Sequence, residues 1–358
     1  MREAKPDWRF ASGRRVLSIK VLIVDDSATI RAILRHALQG EPDIKVVGEA
    51  GDPYEAREVM KAVNPDVVTL DIEMPRMNGI EFLGHIMRLR PTPVIMISTL
   101  TQAGAEASLE ALSLGAIDYI TKPTSGNMIG AFRDLPNKVR AAAQSKLCAA
   151  GAIAPAPVST PSTKSYRAKN RIIAIGASTG GVEALTQLIS ALPAGTPPIV
   201  ITQHMPAKFT TSFAARLNAK SQVTVVEASD GDVLQVGHVY LAPGGDYHMQ
   251  IQGRTRPQCV LIQADPVNGH RPSVEVLFKS VVPFGGQAVA VMLTGMGNDG
   301  SAAMKNVRDA GGLTIGQDRE TCVVYGMSRV AMELGGVEHE MPLAKIAPTL
   351  LEHCGAFY

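Results

Sequence analysis

At 358 residues the chain is long enough for two domains, each with its own core. A hydrophobic share of 46% against 19% charged residues excludes a chain disordered throughout, and a net charge of +2 with no basic stripe excludes a dedicated nucleic-acid binder. No apolar run reaches the roughly 18–20 residues that span a bilayer, and Cys148, Cys259, Cys322 and Cys354 fall in no zinc or CxxC spacing. These features predict a cytoplasmic protein with unpaired thiols and no membrane insertion.

Residues 1–17 are polar and basic, with Trp8 and Phe10 but no apolar core of a secretory signal, and read as a disordered extension. From 18 to 136 short apolar runs alternate with amphipathic stretches. Strands are expected at 20–24, 45–49, 66–70, 94–98 and 116–121, and the spacing of Thr29, Ile30, Ile33, Leu34, Ala37 and Leu38 puts them on one helical face. Five apolar strands, each followed by a helix, predict an α/β domain with a doubly wound, five-stranded parallel sheet.

Three acidic residues of this half fall at strand ends. Asp25 and Asp26 follow the first strand and Asp71 the third, where ligands of parallel sheets gather. Three carboxylates there suit a hard cation, Mg²⁺ by preference, and one of them can attack phosphorus once charge is neutralised. Ser98 closes the fourth strand and Lys122 follows the fifth, a hydroxyl and a cation for phosphoryl oxygens. Taken singly, Asp26 or Ser27 reads better as a helix cap and Lys122 as a solvated lysine; the ordered set of five reverses that preference in favour of a site. The segments VLIVDDS, VTLDIEMPRMNG, VIMIS and GAIDYITKP resemble response-regulator receiver domains. The resemblance implies that Asp71 is the phospho-acceptor and that Asp25, Asp26, Asp71 and the carbonyl of residue 73 hold Mg²⁺. It implies that Ser98 and Tyr119 form the switch pair, that Lys122 contacts the phosphoryl group through a cis Lys122–Pro123 segment, and that Pro75 and Gly79 belong to the loop after the acceptor.

Residues 137–170 read as a linker, most clearly from 148 onward, where small, Pro-rich and Ser/Thr-rich sequence replaces periodicity. A second alternating series then runs over 171–358. Strands are expected at 171–175, 199–203, 223–227, 289–293 and 313–316, and helices at 182–192, 209–218, 274–282, 302–310 and 328–334. Shorter, Gly/Pro-punctuated runs around 239–242, 247–251 and 260–263 suggest an antiparallel hairpin set into a Rossmann-like parallel sheet.

The first of these strands runs into Gly176-Ala177-Ser178-Thr179-Gly180-Gly181, a serine at a strand-to-helix turn. Such a turn fits a nucleophile beside a helix N-terminus and also fits a phosphate cradle. His204 ends the next strand and can take the serine's proton. Asp299, in Gly295-Met296-Gly297-Asn298-Asp299-Gly300, can orient that imidazole or can cap the next helix. The order Ser, His, Asp is not that of α/β-hydrolases. IGASTGG, QHM, YLAPGGDYH, HRPSVEVLF and LTGMGNDG resemble instead the catalytic domain of chemotaxis protein-glutamate methylesterases, the CheB family.

With the first half, that resemblance covers nearly everything after residue 18. It implies a phosphorylation-activated hydrolase that demethylates glutamate γ-methyl esters, and deamidates glutamines, on methyl-accepting chemotaxis receptors. Ser178, His204 and Asp299 form the triad, the Met296 amide binds the oxyanion, His270 and Arg271 line the substrate cleft, and the esterase site needs no cofactor. The implied partners are a chemotaxis histidine kinase and the receptors, and the chain is expected to act as a monomer. Two other readings remain, a response regulator with another output and a non-enzymatic interaction module. A DNA-binding output calls for a helix-turn-helix after the linker, where the sequence is α/β, and the intact Ser/His/Asp set argues against a module without activity.

Overall fold

The structure, a computed structural model, describes residues 18–122, 130, 132–145 and 166–358. The expected extension 1–17, the Lys122–Pro123 bond and most of the linker, Cys148 included, lie outside the described residues.

The first domain alternates β1 (Ile19–Val24), α1 (Ala28–Leu38), β2 (Ile44–Ala50), α2 (Pro53–Val63), β3 (Val67–Asp71), α3 (Gly79–Leu89), β4 (Val94–Thr99), α4 (Gln102–Ser113) and β5 (Asp118–Lys122). Its sheet has the order β2-β1-β3-β4-β5 and every pair is parallel. Helices on both faces bury β3 and most of β1 and β4, which is why these strands read as apolar runs, while the edge strand β2 is only partly covered. The order reverses between β1 and β3, so the crevice of the doubly wound sheet opens beside Asp25, Asp26 and Asp71.

The segment read as a linker from residue 137 is helical at its start. Leu135–Gln144 form a further helix, α5, and Phe132, Leu135, Val139 and Ala142 pack into one cluster with Val21, Ile23 and Leu34. Arg140 adds hydrogen bonds of 2.8 and 2.7 Å to Asp43. Residues 137–144 therefore belong to the first domain's packing. At the other end of that segment, β6 (Tyr166–Ala168) pairs antiparallel with β16 (Gly355–Phe357).

The second domain contains β7 (Ile172–Ala177), α6 (Gly181–Ser190), β8 (Ile199–Gln203), α7 (Ala207–Lys220), β9 (Thr224–Glu227), β10 (His238–Leu241), β11 (Tyr247–Gln252), β12 (Gln258–Gln263), α8 (Val274–Val281), β13 (Ala288–Met292), α9 (Ser301–Asp309), β14 (Leu313–Gln317), α10 (Met327–Glu333), β15 (His339–Met341) and α11 (Leu343–Cys354). Seven of its strands form a parallel sheet in the order β15-β14-β13-β7-β8-β10-β9. Of the three runs expected to make a hairpin, only β11 and β12 do so. The first, β10, lies between β8 and β9 in the parallel sheet, since its Val239, Tyr240 and Leu241 are buried on both faces. The switch point of this sheet lies between β7 and β13, whose loops carry Ser178 and Asp299.

The domains meet along α4. Ala105, Leu109 and Leu112 share one buried cluster with Val182, Phe209 and Phe213 of α6 and α7. Tyr119 stacks on Phe209 with ring centroids 4.5 Å apart and planes within 2°. Gln102 donates to Ser212 Oγ at 2.7 Å.

Gly79 starts α3 so close to the end of β3 that a Cβ would lie 1.9 Å from the Asp71 carbonyl oxygen. Gly79→Ala should therefore lower first-domain stability by about 1–3 kcal/mol, the scale of overpacking against a fixed backbone. Urea unfolding of the full chain, followed through its first transition, measures this.

Candidate active site

The acidic crevice comes first in the chain. Lys122 Nζ lies 3.0 Å from Asp25 Oδ2 and 2.8 Å from Asp71 Oδ2. Those two oxygens meet Lys122 as ion pairs but accept no well-aligned hydrogen bond, which leaves lone pairs for a further cation. Asp25, Asp26 and Asp71 each bring a carboxylate oxygen within 4.8 Å of the others, an all-oxygen donor set that fits a hard divalent ion. Burial pushes Asp71 up to about 6, with Lys122 opposing and Asp25 reinforcing the rise, and burial likewise raises Asp25. Lys122 is itself partly buried, yet the two carboxylates hold its ammonium above the ordinary lysine value. Ser98 donates to the Gly104 carbonyl at 2.9 Å, while Tyr119 faces Phe209 and its hydroxyl meets no partner among the described residues.

The second cleft assembles around the turn after β7. Gly180 takes a left-handed φ of 78° just before α6, and this crossing of strand into helix leaves Ser178 at the turn. Adjacent strand ends are stitched together: Ser178 N–H donates to Thr294 O at 3.0 Å and His204 N–H to Ala177 O at 3.2 Å. This places Ser178 Oγ 3.1 Å from His204 Nδ1, and His204 Nε2 2.9 Å from Asp299 Oδ2. In chymotrypsin-type triads Nδ1 faces the acid and Nε2 the serine; here the two nitrogens exchange places. An ionised Asp299 offers no proton, so Nε2 carries the hydrogen and Nδ1 is left to accept from Ser178.

Asp299 is 1% exposed, yet its carboxyl is held down to about 2. Burial opposes that charge, and His204, Asn268 and Ser273 overcome it. Oδ1 accepts from Asn268 Nδ2 at 3.0 Å, Ser273 Oγ at 2.7 Å and Glu275 N–H at 3.3 Å; Oδ2 accepts from Val274 N–H at 2.6 Å. Asp299 does cap a helix, but the helix is α8 from another part of the chain, while α9 beside it has no side-chain cap.

His270 stacks on His204 with centroids 3.7 Å apart and planes within 8°. Burial, followed by the neighbouring His204, holds His270 down to about 4, so it is neutral near pH 7. Arg271 spends its guanidinium on Gly245 O at 2.8 Å, Ala264 O at 2.8 Å and Asp246 Oδ1 at 2.7 Å, which fixes the loop before β11. His248 is fully buried: its Nδ1 accepts from Ser273 N–H at 3.1 Å and its Nε2 lies 3.0 Å from Asp265 O. Met296 lines the cleft beside Ser178, and among the described residues its N–H donates to no protein group.

The cavity of about 490 Å³ at this site is walled by both domains, with Asp118, Tyr119 and Lys138 facing Ser178, His204 and His270. Asp118 accepts from the hydroxyl of Thr179, the residue after Ser178, at 2.6 Å and pairs with Lys138 at 2.7 Å. Asn268, Ser273, Thr179 and Asp118 were not legible as functional in the sequence. Ser273 carried only the ordinary signal of a residue ahead of a helix.

Residues 173–350 match the CheB methylesterase model and 21–132 the response regulator receiver domain. The chain is 54% identical over 337 residues, 93% of its length and 96% of the relative's, to an Agrobacterium fabrum protein named protein-glutamate methylesterase/protein-glutamine glutaminase. The chain belongs to the CheB methylesterase family. A Caulobacter vibrioides relative of the same activity name is 53% identical, with 94% of this chain and 98% of that one aligned. The crystal structure of the Thermotoga maritima CheB methylesterase catalytic domain superposes with a TM-score of 0.50 at 40% identity, covering 51% of this chain and 98% of that one. These relatives are enzymes by name, which favours the hydrolase reading over the interaction module and over a different output.

The raised Asp71 carries a prediction for stability. Its charged form is penalised in the folded state, so the cost is absent below about pH 4, grows as pH rises, and is complete above about 6. Asp71→Asn should be more stable than the parent at pH 7.5 by roughly 1–3 kcal/mol, with the gap closing by about pH 4. Urea unfolding at both pH values in metal-free buffer measures it.

Proposed function

We propose that the chain hydrolyses glutamate γ-methyl esters, and the corresponding glutamine amides, on methyl-accepting chemotaxis receptors, under control of phosphorylation at Asp71. The observation that carries the reading is the continuous contact from Ser178 Oγ through His204 to Asp299, 3.1 and 2.9 Å, at the switch point of the sheet.

In this reading the receptor's γ-carbonyl carbon is attacked by Ser178 Oγ as His204 Nδ1 takes the hydroxyl proton. Asp299 stabilises the resulting imidazolium. The carbonyl oxygen becomes an oxyanion, which the Met296 N–H at the cleft wall would receive. Collapse breaks the ester C–O bond; the imidazolium returns its proton to the leaving methoxide, and methanol departs. Water then attacks the acyl-Ser178 ester with His204 again as base, releasing the glutamate carboxylate. For a glutamine the leaving group is ammonia. His270, neutral and stacked on His204, walls the imidazole from solvent; Arg271 shapes the cleft by holding the loop before β11.

Residues 18–144 form the controlling domain and 166–358 the catalytic one. Asp25, Asp26 and Asp71, with the Glu73 carbonyl, would hold Mg²⁺, which offsets negative charge when a phosphoryl group approaches Asp71. A histidine kinase supplies that group. Lys122 then meets it, and Ser98 and Tyr119 are the switch pair. The docked Asp118 and Tyr119 stand over the cleft, so release of this face admits the receptor helix, a population shift between closed and open arrangements.

Two outcomes follow. Ser178→Ala should abolish methanol release from methylated receptor membranes, to below about one thousandth of the parent rate, while Asp71 still takes up phosphate from a small phosphodonor. The phosphodonor should raise the parent's methanol release at least several-fold. Equal rates with Asp71 shown to be phosphorylated would overturn the gating.

A further inference from the structure

The acid of the triad is gripped by a short segment outside the triad, and its two oxygens are treated differently. Oδ1 is saturated by Asn268 Nδ2, Ser273 Oγ and Glu275 N–H, whereas Oδ2 is shared between Val274 N–H and His204 Nε2. A carboxylate free to turn about its Cβ–Cγ bond would present either oxygen to the imidazole and blur the angle of that hydrogen bond. Loading Oδ1 with three donors removes that freedom. We propose that Asn268 and Ser273 are positioning residues for the hydrolysis: they lock Asp299 in the orientation that keeps the hydrogen of His204 on Nε2 and its Nδ1 open to Ser178. This inference rests on the reading of Ser178, His204 and Asp299 as the reacting set.

The local chain is built to deliver both donors. Asn268 adopts a left-handed φ of 52° and Gly269 one of 79°, and reciprocal backbone bonds of 3.1 and 3.0 Å between Val267 and His270 close the turn. Asparagine tolerates that conformation better than most residues. The turn brings the Asn268 amide back to Asp299 while placing the His270 ring flat on His204. Ser273 stands at the position before α8, where a serine ordinarily caps its own helix. It makes no such bond; its hydroxyl goes to Asp299, and Asp299 receives the first-turn amides in its place. Behind it, the buried His248 accepts the Ser273 N–H and fixes the backbone.

The charged surroundings define what a test should read. His204 faces Asp299 on one edge and the His270 ring on its flat side, and Asp118, Asp134 and Lys138 of the docked domain line the same cleft. The Glu275 carboxylate turns away, to Lys279 at 3.1 Å and the Ala303 N–H at 3.1 Å. Asp299 therefore has no like charge among its direct partners. Removing a donor from it, or adding an anion beside it, favours protonated His204 and costs the base at a higher pH.

Asn268 is exposed, and glycine and aspartate both accept its backbone conformation, so Asn268→Gly and Asn268→Asp test the role without disturbing the core. In the full chain, methanol release from methylated receptor membranes should fall about tenfold in kcat/KM for the glycine variant and further for the aspartate variant. The acid limb of the pH–rate profile should move up by about half a unit and about one unit respectively, with thermal melting unchanged. Ser273→Ala should move the limb in the same direction. A role confined to folding would lower melting and activity together and leave the limb in place. Parental rate and limb in both Asn268 variants, with Ser178→Ala inactive, would overturn the positioning role alone. Turnover retained by Ser178→Ala would instead overturn the triad reading and the positioning role with it.

Discussion

A parallel strand ends with its last side chains and unpaired backbone groups directed beyond the sheet, and both sheets of this chain put their chemistry there. Asp25 and Asp26 follow β1, Asp71 ends β3, Lys122 ends β5, Ser178 follows β7 and His204 follows β8. Only Asp299 lies several residues past its strand, and it needs the α8 amides to bring it into line. Because the strands are held by ladders in fixed register, the backbone pairing alone brings these groups to neighbouring positions. The two crevices are independent solutions of one constraint.

What separates them is how each treats a buried carboxylate. Asp71 and Asp299 are 2% and 1% exposed, yet the first is pushed up to about 6 and the second held down to about 2. Burial acts on both in the same sense, so the difference lies in their partners. Asp71 has one cation and the like charges of Asp25 and Asp26; Asp299 has an imidazole, two side-chain donors and two helix amides. The elevated group is the more basic one and keeps lone pairs free, as a nucleophile for phosphorus requires. The depressed group is saturated with donors, which suits the orienting and charge-balancing role proposed for it.

The fold, and the three residues that meet in the second cleft, were legible because they rest on short-range patterns. Unbroken apolar runs marked the strands to within a few residues, Ser178 and His204 stood out by their place at strand ends, and Asp299 by the Gly-rich loop between a strand and the next helix. The errors came where tertiary pairing overrides local pattern. The segment at 239–242 looks like the hairpin beside it, but its partners are β8 and β9, far away in sequence. The helix Leu135–Gln144 carries an amphipathic stripe that the nearby low-complexity sequence obscured. Asn268, Ser273 and Asp118 were invisible for a related reason: each matters through a hydrogen bond spanning 26 to 61 positions, and no local spacing encodes such a partner.

The contact between the domains sets the scale of the proposed switch. An offset aromatic stack such as Tyr119 on Phe209 contributes about 0.5–1.5 kcal/mol beyond its area, and a hydrogen bond to a charged acceptor, as from Thr179 to Asp118, about 1.5–3. Moving a two-state equilibrium from mostly closed to mostly open takes about 5.5 kcal/mol of differential stabilisation. Neither contact alone reaches that figure, but the stack, the buried Thr179–Asp118 bond and the apolar seam of α4 lie on one continuous face. Tyr119 belongs both to that face and to β5, the strand whose last residue, Lys122, already grips Asp71. A phosphoryl group that recruits Lys122 acts on the strand carrying Asp118 and Tyr119. The chemistry at one sheet edge is thus connected to the cover of the other through five consecutive residues.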